Sequence, residues 1–254
     1  MENTQRKIHA TETVDHRWRS LYMVSGMLLI LGALLSFVVA YGARILYSSG
    51  YPGDPASYLQ LIAQHQQLAS ITWSLWIVID FLGIAPAVAM YIILQQYNRT
   101  LALLGSLFSI SYALYDFGVT ELNSLTLVSL AHGYALAATD SLRASFVAAA
   151  TYGYYALPLQ TVLSFAIGPL GYLLWCIPMT RSFFGRLPAI AGAIVSIIGL
   201  LGSAAPVVPS SYFLGLCQFL CVRVIALWAI WIGAKLLRYG YHLPVGACNP
   251  VIVS

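Results

Sequence analysis

Six apolar runs constrain this chain more than any other feature of it. They lie near Leu21–Leu46, Leu68–Leu94, Leu101–Leu130, Ala144–Met179, Leu187–Ala205 and Tyr212–Leu236. Each is near or above the ~20 residues a helix needs to cross hydrocarbon. Only 8% of the residues are charged and 60% are hydrophobic, against about 25% charged in soluble domains, so the chain lacks the polar material to coat a globule. The expected fold is all-α: a polytopic membrane bundle of six transmembrane helices over 21–238. A polar segment, 1–20, precedes it and an irregular tail, 239–254, follows. The fourth run is over-long and holds Pro158 and Pro169, which predicts kinks or a partly interfacial first turn.

The basic residues are placed asymmetrically. Arg6, Lys7, Arg17 and Arg19 precede the first run, Arg99 sits in the turn 95–100, Arg181 and Arg186 in a later turn, and Lys235 and Arg238 close the last run. The alternate connections carry at most one Arg each. The positive-inside rule then puts both termini in the cytoplasm of a cell with a multi-pass protein in its cytoplasmic membrane. Arg44, at the outer end of the first run, is expected to snorkel to the headgroups. Clusters this short read as topology, so the lipid bilayer is the partner implied and nucleic acid is not. About twenty polar residues precede a first run too long for a signal-peptide core, and that run is expected to stay in place as a helix. In the first outer loop, Asp54 followed by Pro55 predicts the capped start of a short helix. Cys176, Cys217, Cys221 and Cys248 show no paired CxxC spacing and read as buried thiols.

Several short features are similar to those of a known family. They are the Pro52-Gly53-Asp54 loop, an Asp deep in the second run (Asp80), an Asn-Arg-x-Leu-Ala turn (Asn98, Arg99, Leu101, Ala102), and a Trp-containing last run closing with Lys (Trp228, Lys235). Together they resemble a bacterial family of multi-pass integral membrane proteins catalogued only as a domain of unknown function. The likeness covers the chain from the first run to about Arg238. It implies a six-helix membrane fold and a bacterial host, and no activity. The family's last helix tends to carry an acidic residue where this chain has Arg223.

The stretch ALYDFGVTELN, Ala113 to Asn123, keeps Asp116 and Glu121 within an apolar run. Gly105, Ser109, Tyr112, Thr120 and Asn123 share the helical face of Asp116, and such a stripe turns toward neighbouring helices or a water-filled cavity. Glu121, five residues on, is expected about 140° around the helix and off that face. Asp80 and Asp116 each lie eighteen residues from Asn98, so an antiparallel hairpin turning there sets them level, ~27 Å from the turn. Arg223, twelve residues before Lys235, falls ~18 Å above the inner end of the last helix. The expectation is a buried ionic cluster of Asp80, Asp116 and Arg223, with Tyr112, Asn123 and Glu121 as further ligand- or ion-binding candidates. Two acids against one Arg leave a surplus negative charge, which calls for a proton or a bound cation.

Other patterns read more simply. His65, Glu121, His132 and Asp140 share no ligand spacing, so no metal site is expected. Trp73, Trp76, Tyr152, Tyr154 and Tyr155 suit interfacial belts, with Tyr154, Pro158 and Gln160 also placed to line a cavity beside a kink. Gly192, Ser196, Gly199 and Ser203 make a close-packing stripe. No Walker loop, HExxH, GxSxG or nucleotide fingerprint occurs, so no cofactor and no catalytic residue is assigned. Three functions remain: binding or transport of a small solute at the Asp80/Asp116/Arg223 layer, an intramembrane enzyme acting on a lipid-like substrate, or a structural or regulatory subunit. The first is preferred.

Overall fold

In the computed structural model, residues 18–46, 52–206, 208 and 212–242 are described. The basic N-terminal segment before Trp18 and the tail beyond His242 lie outside them. Among the described residues seven α-helices follow one another: α1 Arg19–Leu46, α2 Pro55–Gln64, α3 Gln66–Tyr115, α4 Leu122–Leu136, α5 Asp140–Met179, α6 Arg186–Ser203 and α7 Tyr212–His242. A π-helical turn, Asp116–Glu121, joins α3 to α4. Among the described residues, five helical segments are long and apolar enough to cross a membrane. The longest of them, Gln66–Leu136, is folded back on itself.

That fold-back is at Asn98, whose backbone is extended (φ −161°, ψ 100°) inside an otherwise helical run. Its side-chain Oδ1 accepts from the Leu101 amide at 3.0 Å, which caps the second arm as an Asn side chain caps an ordinary helix start. The two arms then run antiparallel. Ser106 Oγ donates to Ala87 O at 2.9 Å, and the Phe81 and Phe117 rings meet at 5.1 Å. Each pair straddles the turn nearly symmetrically, so Asp80 and Asp116 are level as the sequence predicts. With α3 counted as two arms, six helical arms form the bundle.

The arms close into a ring. The principal packings are α1 on α7, α1 and α5 on α3, α5 on α6, and α6 on α7. Small residues set the tightest crossings. A methyl group at Gly26 would stand 2.7 Å from Gly233 O, and one at Gly171 would stand 2.9 Å from Gly105 O. In lipid, where apolar surface has no reason to leave its surroundings, such close backbone approach is a main source of helix association. The predicted α6 stripe works the same way: a methyl at Gly192 would meet Cys176 Sγ at 2.8 Å, and one at Gly199 would meet Pro169 Cγ at 2.7 Å.

Two apolar cores occupy opposite ends of the ring. Met90, Leu94, Ala102, Met179, Phe184, Ile232 and Leu236 pack near the Asn98 turn. Leu46, Tyr58, Leu59, Ile62, Leu127 and Val128 pack at the far end. The second core exists because α2 folds over that end. Asp54 starts α2 as expected, accepting from the Ser57 amide at 3.0 Å and the Ser57 hydroxyl at 2.7 Å. These bonds hold the Asp54 carboxyl below the usual range. Helix α5 runs unbroken through Pro158, Pro169 and Pro178 for 40 residues, about 60 Å. Its first turns are exposed and start from a Thr139 cap that accepts from the Leu142 amide at 3.2 Å. Helix α7 continues to His242, four residues beyond the boundary expected at Arg238.

Candidate functional site

Between the two cores lies a cavity of about 670 Å³, within the ~300–1,000 Å³ usual for small-molecule sites. Its wall comes from α1, both arms of α3, the π turn, α4, α5 and α7, with Ala205 and Pro206 at the far end. Most of that wall is apolar, and its floor near the Asn98 turn is tied across three arms. Trp175 Nε1 donates to Ser106 Oγ at 3.3 Å, and Ser106 in turn donates to Ala87 O.

Three carboxyl groups face this space: Asp80 (2% exposed), Asp116 (6%) and Glu121 (3%). They differ in how they are satisfied. Asp116 Oδ1 accepts from Ser164 Oγ on α5 at 2.7 Å, so it ties two helices together. Asp80 has no hydrogen-bond partner on either oxygen, and Glu121 Oε2 has none either. No Lys, Arg or His is among the described residues that line the cavity. Buried polar atoms are almost always bonded, and these two carboxyls instead open toward one cavity.

The presence of Glu121 corrects the sequence expectation. An α-helix would turn it away from Asp116, but Asp116–Glu121 is π-helical. Closing the turn one residue later gives residues five apart the relation that four-apart residues have in an α-helix. Asp116, Thr120 and Glu121 are therefore all buried and all line the cavity. Single π turns inside α-helices recur at functional sites. Nothing in a helical-wheel reading signals one; the only cue is a second acid that an α-helical wheel would turn away from the Asp116 stripe.

The expected ion cluster does not form. The Arg223 guanidinium lies 3.7 Å from the Phe219 ring centroid and donates to Phe219 O at 2.6 Å. Both partners are one turn away on its own helix, and Arg223 is not part of the cavity wall. Correct depth does not fix the angle around a helix, and Arg223 points elsewhere. The one ion pair among the described residues, Arg143 with Asp140 at 3.5 Å, is at the surface. Asn123 is also used otherwise: its Nδ2 donates to Gly153 O at 3.0 Å and Gln160 Oε1 at 2.9 Å, which joins α4 to α5. Tyr112 does line the cavity.

Sequence reasoning missed much of the wall. Trp73 and Trp76 line the cavity and do not stand in an outer belt, and Tyr172, Trp175 and Trp228 join them. Tyr152 (83% exposed) and Tyr155 (64%) do face outward. Tyr154 is buried and donates to Pro52 O, while Pro158 reaches the wall. His132 Nδ1 is bonded to Gln66 Oε1 at 2.9 Å, and Glu121 faces the cavity. No three His, Cys, Asp or Glu among the described residues converge as metal ligands would.

The sequence matches the profile of a family, DUF4386, described as a domain of unknown function, over residues 24–240. The chain belongs to that family, as the resemblance in its loops and turns implied. No curated protein and no solved structure matches it.

Proposed function

We propose that the protein binds a small solute in the cavity between the two cores, and that Asp80, Asp116, Glu121 and Tyr112 belong to the binding site. The observation that carries this reading is the pair of open carboxyls, Asp80 and Glu121, in a cavity of ligand size. Helix packing does not need them. An unpaired charge at the bilayer centre costs at least ~2.5–3.5 kcal/mol, and a chain selected only for stability has cheaper residues for the position. Transport is the extension of this reading in which the cavity opens alternately to each side.

Four tryptophans in the wall, Trp73, Trp76, Trp175 and Trp228, report occupancy. Emission of the purified protein is expected to shift on titration with members of a panel of small cationic, neutral and anionic aromatic solutes. The response should fall at least tenfold in Gly83→Phe, because Gly83 lies on the wall and a side chain there meets nothing within 4 Å. If no panel member alters wild-type emission, the subunit reading takes its place.

The same reading takes the bundle as threaded in the cytoplasmic membrane of a bacterium with both termini inside, since Arg19, Arg99, Arg181, Arg186, Lys235 and Arg238 gather at one end. Cysteines at Thr100 and Ser141, both exposed and at opposite ends, check it. In intact cells an impermeant thiol reagent should modify Ser141→Cys only. Modification of Thr100→Cys would reverse the topology.

A further inference from the structure

The site's charge points to its ligand. This step rests on the solute-binding reading above. Three carboxyl groups share one cavity, none has a basic residue among the described residues of the wall, and Asp80 is almost wholly buried with both oxygens open. The remaining wall is largely apolar and aromatic, with Trp73, Trp76, Tyr112, Tyr172 and Trp228 contributing ring surface. We infer that the cavity takes a small organic cation, an amine or quaternary ammonium with an apolar or aromatic body, whose charged nitrogen is anchored by Asp80.

Each part of the wall matches one part of such a ligand. An ionised carboxylate in low dielectric is strongly destabilised unless a positive group meets it, and the wall supplies none. Ring faces attract a desolvated ammonium, while the apolar lining suits a hydrocarbon body. A bare metal ion fits poorly, because no three ligating side chains converge among the described residues and the lining offers little to replace a hydration shell. Anions meet three acids and no cation. The amine of a phospholipid headgroup carries a phosphate beside it that the same acids repel, so the cation is a free one. Asp116 is a positioning residue here. Its bond from Ser164 holds the π turn against α5, and the turn in turn presents Glu121.

The test compares benzyltrimethylammonium with its uncharged carbon isostere, neopentylbenzene, on the purified full chain, read by tryptophan emission and by ligand-dependent thermal shift. The wild type should bind the cation at least tenfold more tightly than the isostere. Asp80→Asn should lose at least tenfold for the cation and keep the wild-type affinity for the isostere, which also shows that the variant is folded. Ser164→Ala should weaken the cation less than Asp80→Asn does. Equal affinity of the wild type for both probes would overturn the cation assignment and leave a small-solute site. Binding of the cation unchanged by Asp80→Asn would overturn the anchor. Binding of neither probe, nor of the wider panel, would overturn the solute-binding reading as well.

Discussion

Gly233→Val should cost the bundle about 1–3 kcal/mol, the usual cost of overpacking. A Cβ at Gly233 would stand 2.7 Å from the Gly26 carbonyl oxygen, 2.9 Å from Ile30 Cγ1 and 3.2 Å from Leu29 Cβ. The first of these is backbone, which cannot rotate aside. The contact is reciprocal, since a Cβ at Gly26 would meet Gly233 O at 2.7 Å. The added methyls must therefore push α1 from α7 along the most extensive helix pair among the described residues, and that pair closes the ring around the cavity. Gly83→Ala is the control: nothing lies within 4 Å of a methyl there, and helix propensity favours Ala over Gly by ~1 kcal/mol. Unfolding in mild detergent should show a large loss for the first variant and none for the second. Equal stabilities would mean that α1 and α7 do not touch through these glycines.

Asp80→Leu should have the opposite sign. Replacing an unpaired, buried carboxyl by an apolar side chain of similar size should stabilise the ligand-free protein by about 1–3 kcal/mol, because the position carries a desolvation cost with no bond to offset it. A residue kept for function often imposes such a cost, and removing it trades activity for stability. Asp116→Leu differs, because it leaves the Ser164 hydroxyl without the acceptor it now has, and a lost buried bond costs ~1–3 kcal/mol. Thermal denaturation without ligand should thus raise the midpoint of Asp80→Leu and lower that of Asp116→Leu. If both variants lose stability alike, Asp80 is helix-to-helix glue.

This contrast between two aspartates was only half legible in the sequence. Their common depth follows from counting residues to Asn98, because a tight helical hairpin leaves little freedom along its axis. Which neighbour each one meets depends on rotation about that axis, and rotation is set by packing that no single helix encodes. Arg223 shows the consequence: its neighbours Val222 and Ile225 line the cavity, and its own side chain turns to Phe219. The π turn is a second case. It changes the angular relation of Asp116 and Glu121 without changing the residue count, so a regular helical wheel separates two groups that share a cavity. Asp54 and the α6 glycine stripe were legible because capping and close packing are local, or nearly so. The aromatic wall was not, since a tryptophan suited to an interface is equally suited to a cavity a few residues deeper.

The central claim is that the space between the cores receives solutes from water and is not a sealed packing defect. Thiol accessibility at Thr161 measures this most directly, because Thr161 lines the cavity while Cys176, Cys217 and Cys221 are buried. In membranes bearing Thr161→Cys in a Cys248→Ser background, a small water-soluble methanethiosulfonate should modify position 161, and benzyltrimethylammonium should slow that reaction. An unmodified cysteine at 161 under conditions that fully label an exposed site such as Ser141→Cys would contradict the account.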